Sequence, residues 1–556
     1  MALFPTEDLT ITDVRHLPIV KQFAKQIGLV DTVDSIVDTQ MELSPGVTVL
    51  AMVLDSLSGR SPLYRLKEFF HEQDTELLLG VDVPDQVFCD HNLGRVMDKI
   101  FETGTQKIFS AIAKNAVDVF GVDTRKVNFD TTSISVWGDY DVGSAPFDIT
   151  YGYSKDKRPD LKQFLVSMLC VDRNIPILGS PKDGNASDKA INNEVLTGIS
   201  KHMARYGLEP GAFVYVADSA FVTEKNLIEA DANHVRFLSR LPATYKECSR
   251  AIDAAVTADD WTSIGTLNET DDTKKRPAAQ YKAFDTTVTL HGHEYRAVVF
   301  HSSAHDKRRH KRIDRLLAKK KKLLDQLCKK AVSKPFFCEP DARAAAQKLV
   351  ADAAGSYHNI KWQIAEVAKF PRGRPPKDKP RKPIGQEYHL QVNIVEDAQA
   401  VMPLRLKAGC FALITNLSEP EFIAQWPAHE LLRLYKSQSG IEQNFGFLKD
   451  PVIVNSIFLK TPHRIEALGL VLLIALLIWR LMERCLRQHI QRTGSTITGW
   501  KDKPTKRPTA FMMTTKFIHI LVLKSGGLRQ LAKPLKPVHL EYLKALNVSP
   551  DVFTEP

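Results

Sequence analysis

Residues 435–449 read YKSQSGIEQNFGFLK. The pattern predicts a helix, because Ile441, Phe445 and Leu448 recur at the spacing of one apolar stripe. Tyr435, Gln438, Glu442 and Lys449 are offset by three, seven and fourteen residues, so a single helix would carry them along one side. Glu442 would then stand at the edge of a buried surface, with a cation two turns on. The plain alternative is a solvated helix face. What decides between them lies elsewhere in the chain.

Two other carboxylates end apolar strands. KVNFDTTSISVWG, starting at 126, alternates and is β-branched, and Asp130 follows VNF in it. AFVYVADSAF, starting at 212, is an apolar strand ending in Asp218. Between them QFLVSMLCVD and IPILGS read as strands and KAINNEVLTGISKHMARYG as a helix. VTEKNLIEADANH and VRFLSRLP follow as helix and strand. That succession predicts a layered α/β sheet, in which neighbouring strand ends form a binding crevice. Three carboxylates would offer the hard oxygen ligands that Mg²⁺ or Mn²⁺ prefers, and a metal pair suits in-line phosphoryl transfer. Either aspartate alone is weak, since Asp at a strand end is often a turn former.

Together the pieces resemble the DDE transposases of bacterial insertion sequences, in the IS-four-like group with a β-rich insertion before the glutamate. That group carries Y-x2-R-x3-E-x6-K. Tyr435, Glu442 and Lys449 match it at the right spacing, while Gln438 stands where the arginine is expected. NFDTTS matches the motif of the first aspartate and VADSAF that of the second, with Ser219 in place of a usual arginine. GYSKDKRPDLKQ at 152–163 and TPHRIEALGLVLLIALLIW at 461–479 also look like family blocks. The resemblance spans roughly 125–485. It implies an RNase H-like core with Asp130, Asp218 and Glu442 as catalytic metal ligands for two Mg²⁺ or Mn²⁺ ions. It implies cut-and-paste transposition through terminal inverted repeats, with duplex DNA as partner and target, and a homodimer when synapsed. Tyr435 and Lys449 inherit a phosphate contact near the cut. Gln438 can still hydrogen-bond a phosphate but brings no charge.

The expected organisation is a helical N-terminal domain over 1–120 and the first part of the core over 121–242. A mostly β insertion with a basic helical arm follows over 243–428. The second part of the core, with the glutamate helix, spans 429–485, and a basic, helical C-terminal region spans 486–556. Whether the N-terminal helices bind DNA stays open, since no recognition helix is identifiable. In the insertion, thirteen Lys and Arg fall between Lys307 and Lys334, with Ile313, Leu316, Leu317, Leu324 and Leu327 at helical spacing. That predicts an amphipathic helix, paired with DARAAAQKLVADAA.

The 556 residues carry a net charge of +10, which suits a polyanionic partner. Seven scattered cysteines form no CxxC pair, so a reducing cytosol fits, with the protein on the nucleoid when bound to DNA. The N-terminus shows no signal-peptide pattern. The apolar run at 467–479 falls short of the roughly twenty residues a membrane span needs, so a buried core helix is expected. No Walker loop is present, so no ATP-driven partner is expected.

Lys155, Lys157, Arg158 and Lys162 are candidates for holding DNA near the site, against a loop that merely solvates itself. Asp188, in GNASDKA, competes as a metal ligand but is expected to cap a helix. PRGRP at 371–375 matches an AT-hook core, with Arg372 and Arg374 as minor-groove candidates, against a basic linker. Trp261 and Trp362 could stack a flipped base, though packing in the β domain is the plainer reading. Two other functions compete with transposition. One is an RNase H-like endonuclease that cuts without joining. The other is a DNA-binding transposase derivative that has lost catalysis, against which the intact carboxylate set speaks.

Overall fold

The computed structural model describes residues 9–59, 65–140, 143, 146–267, 278–373, 380–450 and 459–556. The chain divides into two compact units. The first comprises Met1–Arg240, Thr415–Leu417 and Glu430–Pro556, and the second Leu241–Ile414 and Ser418–His429.

The first unit opens with a short strand, β1 (Thr10–Asp13), where only helices were expected. β1 pairs antiparallel with Leu521–Ser525, which pairs in turn with Leu528–Leu531. The C-terminal region is therefore partly β and locked to the N-terminus. Arg529 reinforces the junction: its buried guanidinium donates to both carboxylate oxygens of Asp74, at 2.7 and 2.9 Å, and to Glu76 at 2.7 Å. A succession of helices follows β1, from Leu17–Gln26 to Thr105–Phe120. Pro45–Leu57 is buried along its whole length. Its start is written locally: the Ser44 hydroxyl accepts from the Val47 N–H at 3.2 Å, and Pro45 sits in the first turn, where a missing N–H costs nothing.

The core strands are β2 (Lys126–Val136), β3 (Lys162–Val171), β4 (Ile175–Lys182), β5 (Val214–Ala217) and β6 (Arg236–Arg240). Their order is β4-β3-β2-β5-β6. β2, β3 and β4 are antiparallel neighbours, while β5 runs parallel to both β2 and β6. This mixed sheet is the RNase H-like arrangement that the resemblance implies. β3 is buried from Gln163 to Val171, as a strand covered on both faces must be. Asp188–Ala204 and Glu224–Ala232 are the crossover helices.

The apolar run near 470 belongs to a 32-residue helix, Pro462–Thr493, much longer than the run itself. Among the described residues it is the one helix long and apolar enough to cross a membrane, and 83% of its most apolar window is buried in the protein. Burial, not length, marks it as a core helix. Two of the arginines that bound its apolar run are held by partners outside the helix. Arg464 pairs with Asp98, and Arg484 with Asp172, each through guanidinium contacts of 2.7–2.8 Å.

In the second unit the strands are β7 (Thr262–Thr266), β8 (Gln280–Leu290), β9 (His293–Ser302), β10 (His358–Lys369), β11 (Gly385–Glu396) and β12 (Cys410–Thr415). They run in the orders β12-β9-β8-β7 and β10-β11. The division between the units passes through β12, whose last residue belongs to the first unit. There the Thr415 hydroxyl donates to the Phe237 carbonyl and the Asn416 amide to the Val235 carbonyl, beside β6. The basic helix spans Ser303–Val332 and buries Leu317, Leu324 and Cys328. Leu324 and Cys328 share a core with Ala346 and Leu349 of Glu339–Asp352 and with Ile360 and Leu390 of the β10–β11 hairpin. Trp362 packs against this core, and Trp261 meets Phe284 and His301 edge-on.

Candidate active site

Strand β2 stays paired with β3 through Asp130, which lies opposite Met168, but its pairing with β5 ends at Asn128. Asp218 follows β5 directly. Both aspartates therefore stand where two neighbouring parallel strands part, the crevice at which open sheets bind ligands. Each is half-buried, and each carboxylate takes a local backbone donor. Asp130 accepts from the Thr131 N–H at 2.7 Å and Asp218 from the Ala220 N–H at 3.0 Å.

Those donors do not balance the charge. Burial pushes the Asp130 carboxyl up to about 6, and the Asp218 and Asp188 charges push the same way against Lys155 and the Thr131 N–H. Asp218 is also pushed up, chiefly by burial. The nearby cation is Lys155, whose Nζ donates to both the carbonyl and the hydroxyl of Thr131 at 2.8 Å. It also stands 3.4 Å from Asp188. The Thr131 hydroxyl donates to that same Asp188. Asp188 is not the helix cap it was expected to be. Ser187 takes that place, accepting from the Ala190 N–H, which leaves the Asp188 carboxylate to turn toward the site.

The 435–449 stretch is not one helix but two. Ala428–Ser437 stops at Gln438, and Ser439–Lys449 begins after it. At the break the hydrogen bonds tighten to three-residue spacing, from Gln438 N–H to the Tyr435 carbonyl and from Ile441 N–H to the Gln438 carbonyl. The Gln438 side chain turns inward and donates to the Phe129 carbonyl at 3.3 Å, next to Asp130. In that position it braces β2. Tyr435 is half-buried and within electrostatic reach of both aspartates. Burial raises its hydroxyl, while the Arg240 guanidinium at the end of β6 hydrogen-bonds it and opposes the shift. Glu442, one turn after Gln438, is exposed. Among the described residues no three His, Cys, Asp or Glu are grouped closely enough to hold a metal ion. Asp130 and Asp218 are brought together; Glu442 has no contact with them.

Four of the cations proposed to hold DNA, Lys155, Arg158, Lys162 and Lys449, are engaged with the protein. Lys449 Nζ pairs with both Asp156 oxygens at 2.7 and 2.8 Å. Arg158 pairs with Asp160 and stacks over Trp137, 5.2 Å from the ring centre. Lys162 donates to the Tyr140 carbonyl at 2.7 Å. Lys157 is exposed, and so is Arg372, whereas Arg374 lies outside the described residues. Sequence reasoning missed Arg240 and Thr131. Thr131 was legible only as the residue after Asp130, and Arg240 as a charge closing an apolar strand.

A mixed sheet with two coupled aspartates at the mouths of parallel strands is a setting suited to metal-dependent phosphoryl transfer. The family model described as Transposase DDE domain matches residues 125–478, and the chain belongs to that family. It is a DDE transposase, an enzyme of metal-dependent phosphoryl transfer on DNA. A second model, described as a domain of unknown function (DUF4277), matches residues 9–114. No curated protein matches the chain.

The aspartate pair fits the divalent ions that the family generally uses. Its donors are carboxylate oxygens, and the Asp130 carboxyl is pushed up first by burial and then by the Asp218 and Asp188 charges, against Lys155.

Proposed function

We propose that this transposase binds the terminal inverted repeats of its own element, cuts the strands there and joins the freed ends to target DNA. The observation that carries the proposal is the coupled pair of half-buried aspartates, Asp130 and Asp218, at the parting of β2 and β5. Asp130 and Asp218 would hold Mg²⁺ or Mn²⁺, with Glu442 as the third carboxylate; two bound ions would activate the attacking oxygen and stabilise the leaving one. Lys155 and Thr131 keep the carboxylates oriented and partly neutralised. The Tyr435 hydroxyl, held by Arg240, is placed to donate to a phosphate oxygen. Lys449 binds phosphate once Asp156 releases it, and Lys155, Lys157, Arg158, Lys162, Arg372 and Arg374 supply further backbone contacts. The protein works as a homodimer on paired ends and without ATP.

The test is incubation of the full chain with Mg²⁺ and DNA carrying the sequences that flank its coding region, with nicked and joined products resolved. Joined products support transposition. Nicks without joining assign a nuclease, and no cleavage assigns a DNA-binding derivative.

A further inference from the structure

The side of the helix opposite Glu442 is held by buried polar contacts. Asn444 is two positions on, about 200° around the axis, and is completely buried. Its amide donates to the Asn174 carbonyl at 2.8 Å and to the Cys170 sulfur at 3.2 Å. Its side-chain oxygen accepts from Arg480 Nε at 2.6 Å. Arg480 is itself buried in the long helix and faces Glu483, which Arg487 holds at 2.6 Å.

The turn that meets Asn444 is unusual. Asp172, Arg173 and Asn174, which join β3 to β4, have φ values of 21°, 57° and 69°, a run that L-residues seldom adopt. Tertiary contacts hold it. Asp172 accepts from Arg484 at 2.8 Å, and the same guanidinium donates to the carbonyls of Phe120 and Gly121. Gly440 then lies so close to Asn174 that a Cβ there would sit 1.8 Å from its amide nitrogen. The glutamate helix is thus fixed at its first turn by close approach, and one turn later by a directional hydrogen-bonded pair.

A leucine at 444 would fill the same space and bury more apolar surface. The chain instead keeps a buried asparagine and arginine, which cost desolvation and accept only one geometry. We propose that Asn444 and Arg480 are positioning residues for the transposase reaction: with the Asp172–Asn174 turn they fix the rotation of the Ser439–Lys449 helix, and so the direction in which Glu442 is presented. The inference rests on the reading of Glu442 as the third catalytic carboxylate.

The test compares full-length Asn444→Leu, the double variant Asn444→Leu with Arg480→Met, and Glu442→Ala. Each is assayed with Mg²⁺ on a plasmid carrying the flanking DNA. Melting temperature, DNA affinity, cleavage rate at saturating DNA and hydrogen exchange across 439–449 are measured. Asn444→Leu should melt lower, because Arg480 and the Asn174 carbonyl lose a partner. The double variant should recover part of that loss, since the buried cation is gone. In both, exchange across 439–449 should quicken and cleavage at saturating DNA should fall about a hundredfold, the scale of an ångström-level misplacement. DNA affinity should hold. A double variant that cleaves at the wild-type rate while Glu442→Ala is dead would overturn the positioning role. Glu442→Ala that cleaves normally would instead remove the underlying assignment of Glu442.

Discussion

Two sets of cations in this transposase differ in what they do before DNA arrives. Around the aspartates, Lys155, Arg158, Lys162, Arg240 and Lys449 are each bound to a protein acceptor. On the basic helix, Lys319, Lys321 and Lys322 are exposed and Lys320 is half-buried. None of the four has a hydrogen bond or ion pair among the described residues. The first set is built into the fold, so its charges act with direction and at a cost if removed. The second is a solvated row of point charges, and what it contributes to binding is counterion release.

The largest effect is expected at Lys155. If its charge offsets the aspartates, Lys155→Met should slow cleavage by about a hundredfold, the scale seen when one preorganised electrostatic partner is removed. The acid limb of the pH–rate profile should also move upward. Lys155 lowers the Asp130 carboxyl, so its removal lets protons hold that site at higher pH. A profile that stays in place would reduce Lys155 to a loop contact.

On the basic helix, neutralising Lys319, Lys320, Lys321 and Lys322 together should flatten the salt dependence of DNA binding. The slope should fall by up to about 0.9 for each phosphate that is no longer neutralised, with no change in the metal requirement. An unchanged slope would return the helix to a purely structural role. At the boundary of the two sets, Asp156→Asn should release Lys449 and tighten DNA binding by no more than about fivefold, because a partly exposed pair is worth about 1 kcal/mol or less. Weaker binding would mean that Asp156 orders the loop instead of competing with phosphate.

The smallest expected effect is on stability. Asp130 has a raised carboxyl pKa in the fold, so at neutral pH its charge opposes folding. Asp130→Asn should therefore raise the melting temperature by a few degrees at pH 7, while cleavage is lost. The gain should fade as pH falls from about 6 toward 4, where Asp130 is protonated in the folded and then the unfolded chain. A gain that persists at pH 4 would trace to packing rather than charge.

The strands that carry both aspartates were legible because β5 is a short apolar run and β2 a longer alternating, β-branched one, so local pattern and tertiary role agree. The glutamate helix was legible in type but not in continuity. Its break at Gln438 goes with packing on Asn174, which Asn444 meets across 270 positions of sequence. Strand β1 was invisible for a similar reason, since it is a strand only by pairing with Leu521–Ser525. The long helix read short because Arg464, Arg480 and Arg484 bound its apolar run, and their partners Asp98, Asn444 and Asp172 lie far off in the sequence. Asp188 was misread as a cap, because the adjacent Ser187 supplies the acceptor for the Ala190 N–H.

If three carboxylates act as one site, cleavage requires Glu442, which is exposed in the DNA-free protein. The most direct measurement is therefore Mg²⁺-dependent cleavage of flanking DNA by purified Glu442→Ala, with folding checked by melting and DNA binding checked separately. A folded, DNA-binding variant should cleave at least two to three orders of magnitude more slowly than wild type. A folded Glu442→Ala protein that cleaves at the wild-type rate would remove Glu442 from the site and leave Asp130, Asp218 and Asp188 as its carboxylates.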